Sequence, residues 1–180
     1  MQNAENDGKI ISKEDIGRNE NREKIYCTWD EIEGLIKDLG DQLRKSNKKY
    51  DYVLGIANGG MIPARLLSAE LGVELTEPIR VHNGVLDESE MPLLFLDDKK
   101  KYLIVDDIYD TGETYRKVLQ ATKGFDCDFA FCISRYYQVH SFCSKILDNE
   151  KWVVFPWESR STKNEVSNSN NQKYARISNQ

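Results

Sequence analysis

The run YLIVDDIYDTGET, residues 102–114, constrains this chain more than any other feature. Mostly apolar residues read as a buried strand. Two adjacent acids close it, a third follows at Asp110, and Thr-Gly-x-Thr leads into TYRKVLQATKG, which reads as a helix. A strand that passes through a glycine loop into a helix is the first half of a crossover, so the sheet around it should be largely parallel and covered by helices. The pattern also occurs upstream. YVLGI (52–56) reads as a buried strand, ANGG as a turn, and MIPARLLSAELG as a helix that stops at Gly72. FAFCIS and KWVVF read as further strands, and HSFCSKILDN as a loop or short helix. PIRVH and PLLFL read as strands flanking HNGVLDESE, and DDKKK as a solvated turn. The expected fold is α/β, with a mainly parallel twisted sheet flanked by helices.

Before these units, TWDEIEGLIKDLGDQL carries a helical stripe at Trp29, Ile32, Leu35, Ile36, Leu39 and Leu43. Thr28 with Glu31 forms a capping-box pattern. Gly34 and Gly40 weaken the helix, so packing must support it. Residues 1–24 read as a flexible arm, 25–160 as the folded domain, and 161–180, rich in Asn and Ser, as a disordered tail.

The overall charge limits what this domain can bind. The formal net charge of the 180-residue chain is −5, with a pI near 5.2. That argues against a nucleic-acid or membrane partner, both of which favour basic surfaces. An anionic ligand must then be held by local geometry. Cys27, Cys127, Cys132 and Cys143 form no C-x-x-C, and His82 and His140 are far apart, so no structural zinc pattern exists. No apolar leader opens the chain, and the expected setting is the cytoplasm, with reduced thiols.

ANGG and DDIYDTGET both stand where a strand ends and a helix begins. Free backbone N–H groups and a helix dipole favour an anion there. Thr111 and Thr114 add hydroxyls, and Gly112 permits a close turn. The loop is neither a Walker A loop nor a G-x-G-x-x-G. Carboxylates at Asp106 and Asp107 would repel a phosphate alone. They suit a ligand with a second part, a sugar diol or a hard cation. Taken alone, the acid pair could be an ordinary acidic strand end; DTGET beside it points to a sugar phosphate.

Strand-DD-x-x-D-T-G-x-T resembles the phosphoribosyl pyrophosphate (PRPP) motif of type I phosphoribosyltransferases. YVLGIANGGMIPARLLSAELG resembles the family's pyrophosphate loop and its helix, and EKWVVFPWES resembles the C-terminal segment of the 6-oxopurine members, including the xanthine-guanine enzymes. The resemblance covers roughly residues 25–160 and implies the family's fold, with a small C-terminal hood. It also implies transfer of phosphoribose from PRPP to a 6-oxopurine with Mg2+, by a homodimer or homotetramer. Asp106 and Asp107 would hold the ribose hydroxyls, with Asp107 near the metal. Asp110, Thr111, Gly112, Glu113 and Thr114 would surround the 5′-phosphate. Asp110 also matches the candidate general base near purine N7. Ala57, Asn58, Gly59 and Gly60 would line the pyrophosphate. Arg135 falls near the Lys that reads purine O6, Trp152 would stack on the base, and the Val153 carbonyl would accept from its exocyclic edge. HNGVLDESE corresponds to the family's mobile loop, and Glu158 matches a family acid.

Two departures stand out. Asn58 replaces a frequent Arg or Lys, which leaves open a non-catalytic PRPP- or nucleotide-sensing regulatory protein on the same fold; a phosphoribosyltransferase for another base is a separate alternative. Arg135 replaces Lys, with different geometry, and could instead be a surface charge.

Overall fold

A computed structural model of the chain describes residues 22–75, 78–82, 85–86, 96–136 and 141–158. Residues 1–21 of the expected arm, the expected tail, PLLFL apart from Leu96, and most of HNGVLDESE lie outside the described residues.

The strand–loop–helix signals become β2 (Tyr52–Ala57) with α2 (Met61–Leu71), and β6 (Lys101–Tyr109) with α3 (Glu113–Ala121). FAFCIS lies in β7 (Asp126–Ser134), PIRVH contributes β4 (Ile79–His82), and KWVVF contributes β9 (Trp152–Val154). The short strands β1 (Lys24–Tyr26), β3 (Glu74–Leu75) and β5 (Val85–Leu86) complete the set with β8 (Ser141–Ile146). β8 corrects one expectation: SFCSKI is a strand, not a loop or helix. It pairs in parallel with β7, Phe131 opposite Cys143, at the sheet edge, where its side chains are only half-buried. Edge placement explains the missing apolar run. β1 begins inside the segment expected to be an arm and pairs in parallel with β9, Ile25 opposite Val153.

α1 (Trp29–Lys45) is closed by the expected box. The Thr28 N–H donates to Glu31 Oε2 at 2.8 Å, and the Glu31 N–H donates to Thr28 Oγ1 at 3.2 Å. Gly40 faces α2 so closely that a Cβ there would sit 2.7 Å from Glu70 Cγ, so the residue that weakens the helix also lets it pack. The sheet order is β5-β4-β2-β6-β7-β8, with β3 also on β2. All pairs are parallel except β4–β5. Ile32, Leu39, Leu67, Val53 and Leu103 fill one face beneath α1 and α2. Leu54, Ile104, Val118, Phe129 and Phe131 fill the other, beneath α3. Burial of such side chains contributes ~1.5–3 kcal/mol each.

This order positions the site. The chain leaves β2 through α2 toward β4, and leaves β6 through α3 toward β7, so the two crossovers depart in opposite directions. A crevice opens between the carboxyl ends of β2 and β6, where such sheets bind ligands.

Candidate active site

Residues 57–60 follow β2, and residues 110–112 follow β6. The Ala57–Asn58 peptide bond is cis. The glycines let the two loops touch. A Cβ on Gly59 would lie 2.3 Å from Asp107 Oδ2, and one on Gly60 would lie 2.3 Å from the Val105 carbonyl oxygen. Gly112 has φ 75° and caps α3, with the Tyr109 hydroxyl directly against its Cα. Only glycine combines that backbone with that contact. The first helical bond of α3 runs from the Arg116 N–H to the Gly112 carbonyl at 2.9 Å. The N–H groups of Thr114 and Tyr115 precede it and are left for a ligand. The Glu113 N–H donates to Thr111 Oγ1 at 3.3 Å, which leaves the Thr111 hydroxyl proton to donate outward.

These loops line one cleft of about 380 Å³. Asp106, Asp107, Asp110, Thr111, Gly112, Glu113 and Thr114 all reach it, as do Ala57 and Gly59. Asn58 and Gly60 do not form its wall. Asn58 is exposed, and Gly60 is buried behind the loop as the N-cap of α2. Arg135, Trp152 and Val153 line the same cleft. The sequence reading missed Tyr109 and Tyr115, which form the aromatic wall with Phe131, ring centres 5.3–6.0 Å apart. An apolar period marks them only as core.

Arg135 is not a surface charge. It is 8% exposed. Its N–H donates to the Tyr109 carbonyl at 3.0 Å, which sets the end of β7 beside the end of β6 and next to Asp110. Its Nε donates to Asp110 Oδ1, Nη1 to the Asn149 carbonyl, and Nη2 to the Lys151 carbonyl at 2.7 Å.

β1 orients the hood strand β9. The Trp152 N–H donates to the Glu23 carbonyl at 2.8 Å, and the Cys27 N–H donates to the Val154 carbonyl at 2.9 Å. Peptide groups alternate in direction along a strand, so those of Lys151 and Val153 face away from β1. Arg135 takes the Lys151 carbonyl on that edge, and the Val153 carbonyl is the next acceptor along it. Glu158 is turned back onto the hood, its Oε2 accepting the Phe155 N–H at 3.1 Å. Trp157 stacks on Phe155 with centres 4.8 Å apart and belongs to the core.

The Asp106–Asp107 pair is electrostatically uncompensated. Burial, and then the neighbouring Asp107 charge, raises Asp106 well above the carboxylate range. Burial, and then the Glu158 charge, pushes Asp107 up to about 7. Among the described residues, no lysine or arginine forms an ion pair with either, and no three His, Cys, Asp or Glu form a complete metal site. Two carboxylates beside an anion cradle suit a hard cation that takes its remaining ligands from a bound phosphate.

The sign of the resulting pH dependence follows directly. An unfolded Asp ionises near 3.8. Between that value and about 7, the native state holds a proton that the unfolded state has lost, so this pair's stabilisation is full at low pH and is lost as pH rises through about 7. Asp107→Asn should remove the Asp107 share of that loss, while Asp106, raised first by burial, keeps its own. We expect the variant to gain Tm relative to the parent at pH 8 and not at pH 4, measured by calorimetry without divalent cations; an equal gain at both pH values would contradict the assignment.

The phosphoribosyl transferase domain matches this chain over residues 26–160. The chain belongs to that family. Among curated phosphoribosyltransferases, it is 30% identical to the xanthine-guanine phosphoribosyltransferase of Gluconobacter oxydans, covering 73% of this chain and 83% of the relative. It is 28% identical to the protein of the same name from Nitratidesulfovibrio vulgaris (strain DP4), covering 77% and 86%. Among solved structures, the purine phosphoribosyltransferase of Pyrococcus horikoshii Ot3 superposes with a TM-score of 0.62 at 32% identity, covering 76% of this chain and 94% of that one. The parallel twisted sheet flanked by helices is thus the type I phosphoribosyltransferase fold, and the protein is an enzyme of that class. Among the described residues, no helix is long and apolar enough to cross a membrane.

Proposed function

We propose that this phosphoribosyltransferase joins a 6-oxopurine (guanine, xanthine or hypoxanthine) to PRPP with Mg2+, releasing pyrophosphate and a purine nucleoside 5′-monophosphate, as purine salvage in the cytoplasm. One observation carries the reading. A single cleft holds an anion cradle, an uncompensated acid pair, and a wall that Arg135, bonded to the Lys151 carbonyl, shares with Val153. Three of the five guanidinium N–H groups are used. The remaining two suit a 6-oxo acceptor, and Val153 suits the donors on the neighbouring purine edge. Trp152 supplies the stacking surface. Adenine would turn an amino donor toward Arg135 and leave donors unpaired. A homodimer or homotetramer fits the exposed apolar side chains of Trp29, Met61 and Leu66.

In this reading the C1′–oxygen bond to pyrophosphate breaks as the purine nitrogen–C1′ bond forms. The 5′-phosphate lies at residues 110–114. Asp106 and Asp107 would hold the ribose hydroxyls, and Asp107 would also help hold Mg2+. The cation would supply charge for the departing pyrophosphate. The backbone of Gly59, which lines the cleft, and the N-terminus of α2 add to that stabilisation. Asp110 accepts the proton that the base loses.

The test is pyrophosphate release from PRPP and Mg2+ with guanine, xanthine, hypoxanthine or adenine supplied separately. Release should require both the cation and a 6-oxopurine. Asn58 favours a second reading, a protein that binds PRPP without transfer. PRPP binding by calorimetry with no release for any base would select it.

A further inference from the structure

We propose that Arg135 is a positioning residue that holds Asp110 at a fixed distance from the hood strand β9. The inference deepens the proposed transfer and rests on it for the role of Asp110. The guanidinium side chain is 4% exposed, whereas the Asp110 side chain is 31% exposed, so the pair has a buried end and an open end. Its bonds run to two parts of the chain. Nε holds Asp110, in the loop after β6, while Nη1 and Nη2 hold the carbonyls of Asn149 and Lys151, just before β9. Within the β8–β9 connection, residues 147–151, the Leu147 N–H donates to the Ser134 carbonyl at 2.8 Å, the Lys151 N–H donates to Asn149 Oδ1 at 3.1 Å, and the Lys151 ammonium pairs with Glu23 Oε1 at 3.0 Å.

The choice of Arg matters. A lysine ammonium at this depth offers point-like donors from one atom, whereas a planar guanidinium can satisfy one carboxylate and two carbonyls along separate directions. The part-buried carbonyls of Asn149 and Lys151 would lose that partner. Arg135 therefore fixes both the Asp110 oxygen available to the base and the edge on which Val153 stands. β1 holds β9 from the other side, so the base-facing strand is bracketed by β1 and Arg135.

Hydrogen exchange on the unliganded protein tests this without reference to turnover. Arg135→Lys keeps the buried charge, and Arg135→Gln keeps donors without it. Both should speed exchange in residues 147–155 by about tenfold or more, the equivalent of ~1.4 kcal/mol of local protection, while residues 101–134 keep their protection. Under PRPP turnover, kcat should fall about 10–100-fold, as misplacement of a reacting group by an ångström does, with the KM for PRPP little changed. Unaltered exchange in residues 147–155, with a raised KM for the base alone, would make Arg135 a base reader only and overturn the proposal. Loss of protection across the whole chain in both variants would also overturn it, since the role would then be general stability. A null result for transfer with the local exchange change intact would instead count against the proposed reaction.

Discussion

Replacing Asp110 by asparagine is expected to lower kcat by about 10²–10⁴-fold, the range associated with removing a general acid or base. The substitution isolates the chemistry. Asparagine keeps the shape of the side chain, and its Oδ1 can still accept from Arg135 Nε, so the link to the hood survives. In the proposed reaction, what it loses is the ability to take the proton that the base gives up. The KM for PRPP should change little, because the proposed phosphate cradle draws on backbone N–H groups and threonine hydroxyls in residues 111–115. Steady-state pyrophosphate release measures both constants. A kcat within about fivefold of the parent would remove Asp110 from proton transfer, since a general base contributes at least about a hundredfold.

How far this site can be read in the sequence depends on the reach of each interaction. The two loops are legible because their chemistry is contiguous. DDIYDTGET contains its own strand end, turn and helix start, and α3 begins one residue before the TYRKVLQATKG pattern. The capping box of α1 is legible for the same reason. β1 is not. It spans three residues, has no usable period, and exists because the distant β9 offers it a register. β8 was misread because an edge strand with half-buried faces needs no apolar run. Arg135 shows the limit most clearly. Its position after FAFCIS suggested either a base contact or a surface charge, and neither pattern could indicate that the guanidinium is buried against carbonyls at 149 and 151. Such contacts involve backbone oxygens, which every residue type carries, so sequence holds no mark of them. The acid pair lies between these extremes. Its identity is local, but its raised protonation comes from burial and from Glu158, on the far hood.

Gly60→Ala is expected to reduce kcat/KM by about a hundredfold or more, and to cost ~1–3 kcal/mol of stability, as overpacking does. The new methyl would lie 2.3 Å from the Val105 carbonyl oxygen, 2.8 Å from the Ile56 nitrogen and 2.9 Å from the Asp106 Cα. All three are backbone atoms, so no side chain can turn away, and relief requires the loop to part from β6. That movement would separate the N-terminus of α2 and residues 57–59 from Asp106 and Asp107, which is the contact that assembles the crevice. Gly34→Ala is the matched control. Gly34 lies mid-helix in α1 with nothing within 4 Å of its would-be Cβ, so the same methyl should stabilise the protein by ~0.5–1 kcal/mol and leave transfer unchanged. Urea unfolding and pyrophosphate release on the two variants measure both quantities. Opposite signs of stability change from one chemical edit would show that Gly60 is held by the approach of its loop to β6, and equal signs would place the close contact elsewhere.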